Sequence, residues 1–322
     1  MHLPEKVPYW RIILRFRGTA LVRIWKRVLF VTALSALVTW FDFPPGHANL
    51  TLTPVPFTLV GLALGIFLGF RNNTSYDRFW EGRKLWGRMV NVSRTLTRQI
   101  LTLIRAEGES GGESVESERE PSERQKELVR RVAGYVHAFR LHLRDQDIPD
   151  YHAALGHLVP AAEITALAEE TNRPNALLQE LGRRFRLAWD RGLIDPFHLV
   201  VLEQSLTEMT SIQGGCERIK RTPIPFSYTV LIHRIVAVYC VALPFGLEAQ
   251  VGVLTPLVVL IISFAFFGLD AVGDEIEDPF GTDPNDLPLT NLSVMIERNI
   301  RQRIGDLDLP PMPPVHPGNF ID

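Results

Sequence analysis

Two apolar stripes run side by side through the stretch FTLVGLALGIFLGF at 57–70. Gly61, Gly65 and Gly69 recur every four residues, and Leu62, Ile66 and Phe70 recur in step with them, one position later. At about 3.6 residues per turn this spacing predicts a helix with a small face beside a large one. The small face is suited to close backbone approach, as in membrane helix pairs. The large face must meet lipid, another helix or a dry constriction. A buried helix of a soluble bundle also fits this stretch taken alone. Three further runs lack charge or nearly so: 28–41, 226–247 (interrupted only by His233 and Arg234) and 257–269. Between 128 and 206 the pattern is instead that of amphipathic helices, with Leu128, Val132, Tyr135, Val136 and Phe139 on one face. Leu177, Leu178, Leu181, Phe185 and Ala188 repeat that pattern. Asp195-Pro196 predicts a turn into a helix over about 196–219, and Leu292, Ile296 and Ile300 predict a short amphipathic helix near the end.

Both runs of the first pair fall short of the roughly 20 residues that an isolated membrane span needs, and charge placement decides between core and membrane. The segment before residue 28 is rich in Arg, Lys and Trp, and Arg71, Arg78, Arg83, Lys84 and Arg88 follow the second run. The connections 42–56 and 248–256 contain no Lys or Arg. This is the positive-inside pattern of two hairpins that leave and re-enter the cytoplasm. It predicts five regions: a basic amphipathic segment at 1–27, a first transmembrane hairpin at 28–70, a cytosolic helical region at 71–225, a second hairpin at 226–269, and an acidic turn with a tail at 270–322. The acidic, Gly- and Ser-rich stretch 107–127 is an expected flexible insert within the third region. Both termini are expected on the cytoplasmic side of a bacterial inner membrane.

Composition narrows the chemistry. The 322 residues are 46% hydrophobic and 22% charged, and the net charge of −2 gives no case for nucleic acid. The two cysteines have no partner at metal-ligand spacing. No G-x-S-x-G, HExxH, P-loop or G-x-G-x-x-G occurs, so no enzyme is expected. His137, His142, His152 and His157 have five-residue spacings that put each pair on different helix faces, unlike a metal-binding i, i+4 pair. The carboxylates from Asp270 to Asp286 are the one cluster able to offer hard oxygen ligands, and they lack the EF-hand spacing.

Four separated motifs then agree. RNNTSYDRFWEGRKLWG (71–87), GCERI (215–219), TPIPFSYTVLIHR (222–234) and DPFGTDPNDLPL (278–289) resemble the bestrophin family, on its bacterial branch, in order and over nearly the whole chain. The resemblance implies an all-α fold: a membrane helical bundle of four transmembrane segments with a helical cytosolic region, five copies of which surround one axial pore. The implied function is a homopentameric channel for monovalent ions in the lipid bilayer. Anion (chloride) passage is the family default, monovalent-cation (sodium) passage the alternative within the same architecture, and a non-conducting membrane scaffold or sensor the further one. The implied pore neck falls on Leu62, Ile66 and Phe70, with Gly61, Gly65 and Gly69 as the packing seam of the pore helices. The inner mouth falls on Arg71, Asn72 and Asn73, and a cytosolic exit constriction near Leu187. No cofactor is required. A Ca²⁺ clasp of the family type would use the side chains of Asp283 and Asp286 and the backbone near Glu275 and Asp278, but Thr282, Pro284 and Asn285 replace the family's acids.

Overall fold

The computed structural model describes residues 21–42, 53–105 and 120–314, so the predicted segment 1–27 and insert 107–127 lie largely outside the described residues. The described residues form helices joined by short turns. These are α1 (Leu21–Asp42), α2 (Val55–Leu103), α3 (Glu123–Leu143), α4 (Ile148–Leu155), α5 (Ala161–Ala166), α6 (Arg173–Asp190), α7 (Pro196–Arg221), α8 (Phe226–Val251), α9 (Thr255–Glu277) and α10 (Leu289–Arg301). Among them the only β pairing is an isolated bridge between Ile104 and Ile194. The chain divides into two compact units, one of residues 4–80 and 222–279, the other chiefly of 81–221 and 280–322.

The first unit contains all four charge-poor runs. α1 packs on α8 and α9, and α8 packs on α9. Ile24, Val28 and Val31 of α1, Leu64 and Leu68 of α2, Val236 and Cys240 of α8, and Val259 and Phe267 of α9 share one apolar core. Three stretches have the length and apolarity to cross a membrane: Val22–Phe41, Val55–Leu103 and Phe226–Glu277. The third is α8 and α9 joined through a 3₁₀ turn at Gly252–Leu254, where Gly252 has φ 59°, a left-handed value that glycine adopts without strain. α8 runs on through Pro244. The unit extends about ten residues beyond the point where charges begin at Arg71, because Arg71 and Arg78 still bind groups of α9.

The second unit is centred on α3, which packs on α4, α6 and α10. The predicted stripe Leu128, Val132, Tyr135, Val136 and Phe139 is buried throughout, as is that of Leu177, Leu178, Leu181, Phe185 and Ala188. Trp86 stacks on Phe139 with ring centroids 5.3 Å apart and is fully buried. A capping box starts α3: Ser122 accepts from the Gln125 backbone N–H, and the Gln125 side chain accepts from the Ser122 N–H. The Gln125 amide also donates to the carbonyl of Ile104 at 2.8 Å, beyond the last turn of α2. The helix predicted from about 196 starts at Pro196, with the Phe197 N–H donating to Asp195 Oδ1 at 2.9 Å.

Candidate functional site

α2 carries two opposed faces through the first unit. Leu64, Leu68, Arg71 and Ser75 recur at helical spacing and are buried. Leu62, Ile66 and Phe70 lie on the other side, and in the single chain they are 66%, 52% and 61% exposed. The large stripe therefore makes no core within its own chain. The glycines divide. A Cβ at Gly61 would lie 2.5 Å from the Tyr239 hydroxyl, so this glycine serves contact with α8. Gly65 and Gly69 have nothing within 4 Å of such a Cβ.

Directly after Phe70 the chain builds a cluster of charges behind the stripe. Arg71 is fully buried and donates through Nη1 to Asp270 Oδ1 at 2.9 Å and through Nη2 to Asp274. Glu277 stands 3.8 Å from the same guanidinium. His233 Nδ1 lies 2.7 Å from Asp270 Oδ2, so one carboxylate joins α2, α8 and α9. Arg78 donates to the Glu277 carbonyl at 3.0 Å, and Glu277 Oε1 accepts the Ile224 backbone N–H at 2.9 Å. A Cβ at Gly273 would run into the Asn72 side-chain oxygen and come within 3.6 Å of Arg71, so a larger residue where α9 crosses this cluster would displace the Asn72 side chain.

The three residues expected at the inner mouth differ in their surroundings within the chain. Arg71 is buried, where a guanidinium without water needs carboxylate partners, and here it has them. Asn72 is half-buried and donates to the Leu269 carbonyl at 3.0 Å. Of the three, Asn73 alone is exposed. The sequence held a signal for the cluster: His233 and Asp270 are rare ionisable groups within or at the end of apolar runs, and such groups seek one another.

Leu187 belongs to the second unit, where α6 leaves it 37% exposed between the buried Phe185 and Ala188. Of the expected clasp, Glu275 and Asp278 belong to the first unit, and Asp283 and Asp286 to the second. Asp286 is buried, and its Oδ2 accepts the Asp283 backbone N–H at 2.7 Å, which closes the turn on itself. Among the described residues, the one set of three His, Cys or carboxylate side chains with ligand atoms within 4.8 Å of one another is His233, Asp270 and Asp274. Arg71 already neutralises both of its aspartates. The His233, Asp270 and Asp274 set therefore fits a cation poorly.

The histidines of the second unit serve a buried carboxylate. His137 Nε2 and His157 Nε2 lie 2.8 and 2.7 Å from Glu297, and Arg301 Nη1 donates to it at 2.7 Å. Burial pushes the Glu297 carboxyl up, but these hydrogen bonds prevail and hold it well below the usual carboxylate range. Burial lowers His137, more than its bond to Glu297 raises it.

Comparison with known proteins settles the family. The bacterial and fungal bestrophin family model matches residues 1–302. The chain belongs to the bestrophin family. A voltage-dependent anion channel-forming protein of Ralstonia nicotianae is 38% identical over 94% of this bestrophin and 94% of its own length. The voltage-dependent anion channel-forming protein YneE of Escherichia coli K12 is 32% identical over 94% of each chain. A bacterial bestrophin homolog from Klebsiella pneumoniae, solved by Zn-SAD phasing, superposes with TM-score 0.76 at 32% identity, covering 88% of this chain and 98% of that one. A tryptophan-to-alanine variant of the Klebsiella homolog gives TM-score 0.78 over 90% and 100% of the two chains. This bestrophin is thus an all-helical membrane protein of a channel family, and not an enzyme.

Proposed function

We propose that the protein is a passive anion channel, assembled as a homopentamer, whose pore narrows at a collar of Leu62, Ile66 and Phe70. The observation that carries the reading is the exposure of these three side chains on a helix whose opposite face is buried in its own bundle. Beside this row of large apolar groups, the open Gly65 and Gly69 offer a small face on which another copy can pack closely. An apolar collar has no ligands to replace an ion's hydration shell, so it gates by wetting and dewetting. Leu187 would form the second constriction, nearer the cytosolic exit. Both termini would face the cytoplasm of the bacterial inner membrane, from the basic flanks of the first hairpin and the lack of Lys and Arg in both outer connections. The names of the Ralstonia and Escherichia proteins favour anions as cargo.

One observation favours a second reading, passage of monovalent cations such as sodium. Arg71 is neutralised by Asp270 and Asp274 and offers no free positive charge below the collar. An apolar neck sets no sign of charge by itself, and ion choice is read from reversal potentials. The collar itself is tested by Ile66→Ala and Phe70→Ala in planar bilayers. Each widens the constriction and raises open probability several-fold; unchanged single-channel behaviour in both removes these residues from the neck.

A further inference from the structure

The second unit contains a cavity of about 580 Å³ between α2 and the end of α10, remote in sequence from the collar. Arg94, Arg98 and Arg303 line it, with the neutral donors Asn299 and Gln302 and no carboxylate. Elsewhere in this unit exposed arginines find acids: Arg88 pairs with Glu208, Arg183 with Glu180, and Arg218 with Glu81. Among the described residues no carboxylate pairs with Arg98 or Arg303, while Arg94 donates to Asn299 Oδ1. That bond leaves the Asn299 amide N–H groups for another acceptor. Three like charges gathered at one concavity repel one another, and among the described residues no carboxylate lines it.

We propose that this cavity binds a small, multiply charged phosphate compound. The guanidinium fork pairs two N–H groups with two oxygens of a phosphate, a match that a spherical halide cannot use. The volume lies within the roughly 300–1,000 Å³ of small-molecule sites and is far larger than one chloride needs. Leu101 and Ile300 in the lining give apolar surface for the non-phosphate part of such a compound. Because Arg94 and Arg98 sit on α2, the ligand would contact the same helix that carries Leu62, Ile66 and Phe70. The inference does not depend on conduction or on ion choice.

The test is equilibrium binding of inorganic pyrophosphate to the intact detergent-solubilised protein, by calorimetry at fixed ionic strength so that screening is constant. Saturable binding of one pyrophosphate per chain is expected, weakened about tenfold or more by Arg98→Gln and by Arg303→Gln, and unchanged by Arg88→Gln. Both test positions are exposed and without acidic partners, so the variants retain the fold, which an unchanged melting temperature without ligand verifies. Absence of saturable binding at millimolar pyrophosphate, unchanged affinity in both variants, or equal weakening by Arg88→Gln overturns the proposal.

Discussion

At Arg71 a full positive charge sits where no water reaches it, held by Asp270 and Asp274 from a helix some 200 positions later in the chain. Removing the charge leaves the buried Asp270 with only His233 beside it. Arg71→Gln is expected to destabilise the protein by about 3–5 kcal/mol, against about 0–1 kcal/mol for Arg88→Gln at the exposed pair with Glu208. Thermal unfolding in detergent checks this, and similar melting temperatures for the two variants would contradict it. Glu297 gives the residue scale a pH dependence. Its pKa is lowered on folding, so its stabilisation is present above the ordinary carboxylate value near 4.3 and is lost as pH falls through the folded value. Burial lowers both His137 and His142, so stability already falls as pH drops through about 6.5, where the unfolded chain takes up protons first. The melting temperature is expected to fall between pH 7 and pH 5, less steeply in His137→Gln; identical slopes would show that His137 does not contribute. Neither constellation was legible from local spacing. The spacing of the four histidines gave no metal pattern and no sign of Glu297, the partner of His137 and His157, which lies 160 residues from His137. Sequence periodicity shows which face is buried, not which distant charge will meet it.

The helices themselves were written locally. Periodicity marked the buried faces of α3 and α6, Asp195-Pro196 marked the start of α7, and alternation of charge-free runs with basic flanks marked the four membrane helices. The glycine stripe of α2 was only half legible, because spacing puts Gly61, Gly65 and Gly69 on one face without saying which neighbour each meets. Gly61 meets Tyr239 of its own chain, and Gly65 meets nothing there. Two different outcomes follow. Gly61→Leu is expected to disturb the packing of α2 on α8 and lower the melting temperature of the chain. Gly65→Leu is expected to leave that packing intact and to weaken assembly, read as loss of the oligomer peak in size-exclusion light scattering. A normal pentamer in Gly65→Leu would remove this glycine from the intersubunit seam. Gly273, which sequence reading passed over, lies opposite the side chains of Asn72 and Arg71.

On the scale of the whole molecule, two compact units share one long helix, α2, whose apolar first part carries the proposed collar and whose later part carries Trp86 and the arginine-lined cavity. The membrane architecture follows from the sequence because lipid imposes a strong rule on where charge can lie. Assembly and ion choice do not, because they depend on surfaces that one chain leaves open and on a collar without charge. The central claim is anion passage through that collar. The measurement that tests it most directly is the reversal potential of the purified protein in planar bilayers with asymmetric NaCl. A current reversing near the chloride equilibrium potential is the predicted result; reversal near the sodium equilibrium potential, or no current at all, would contradict it.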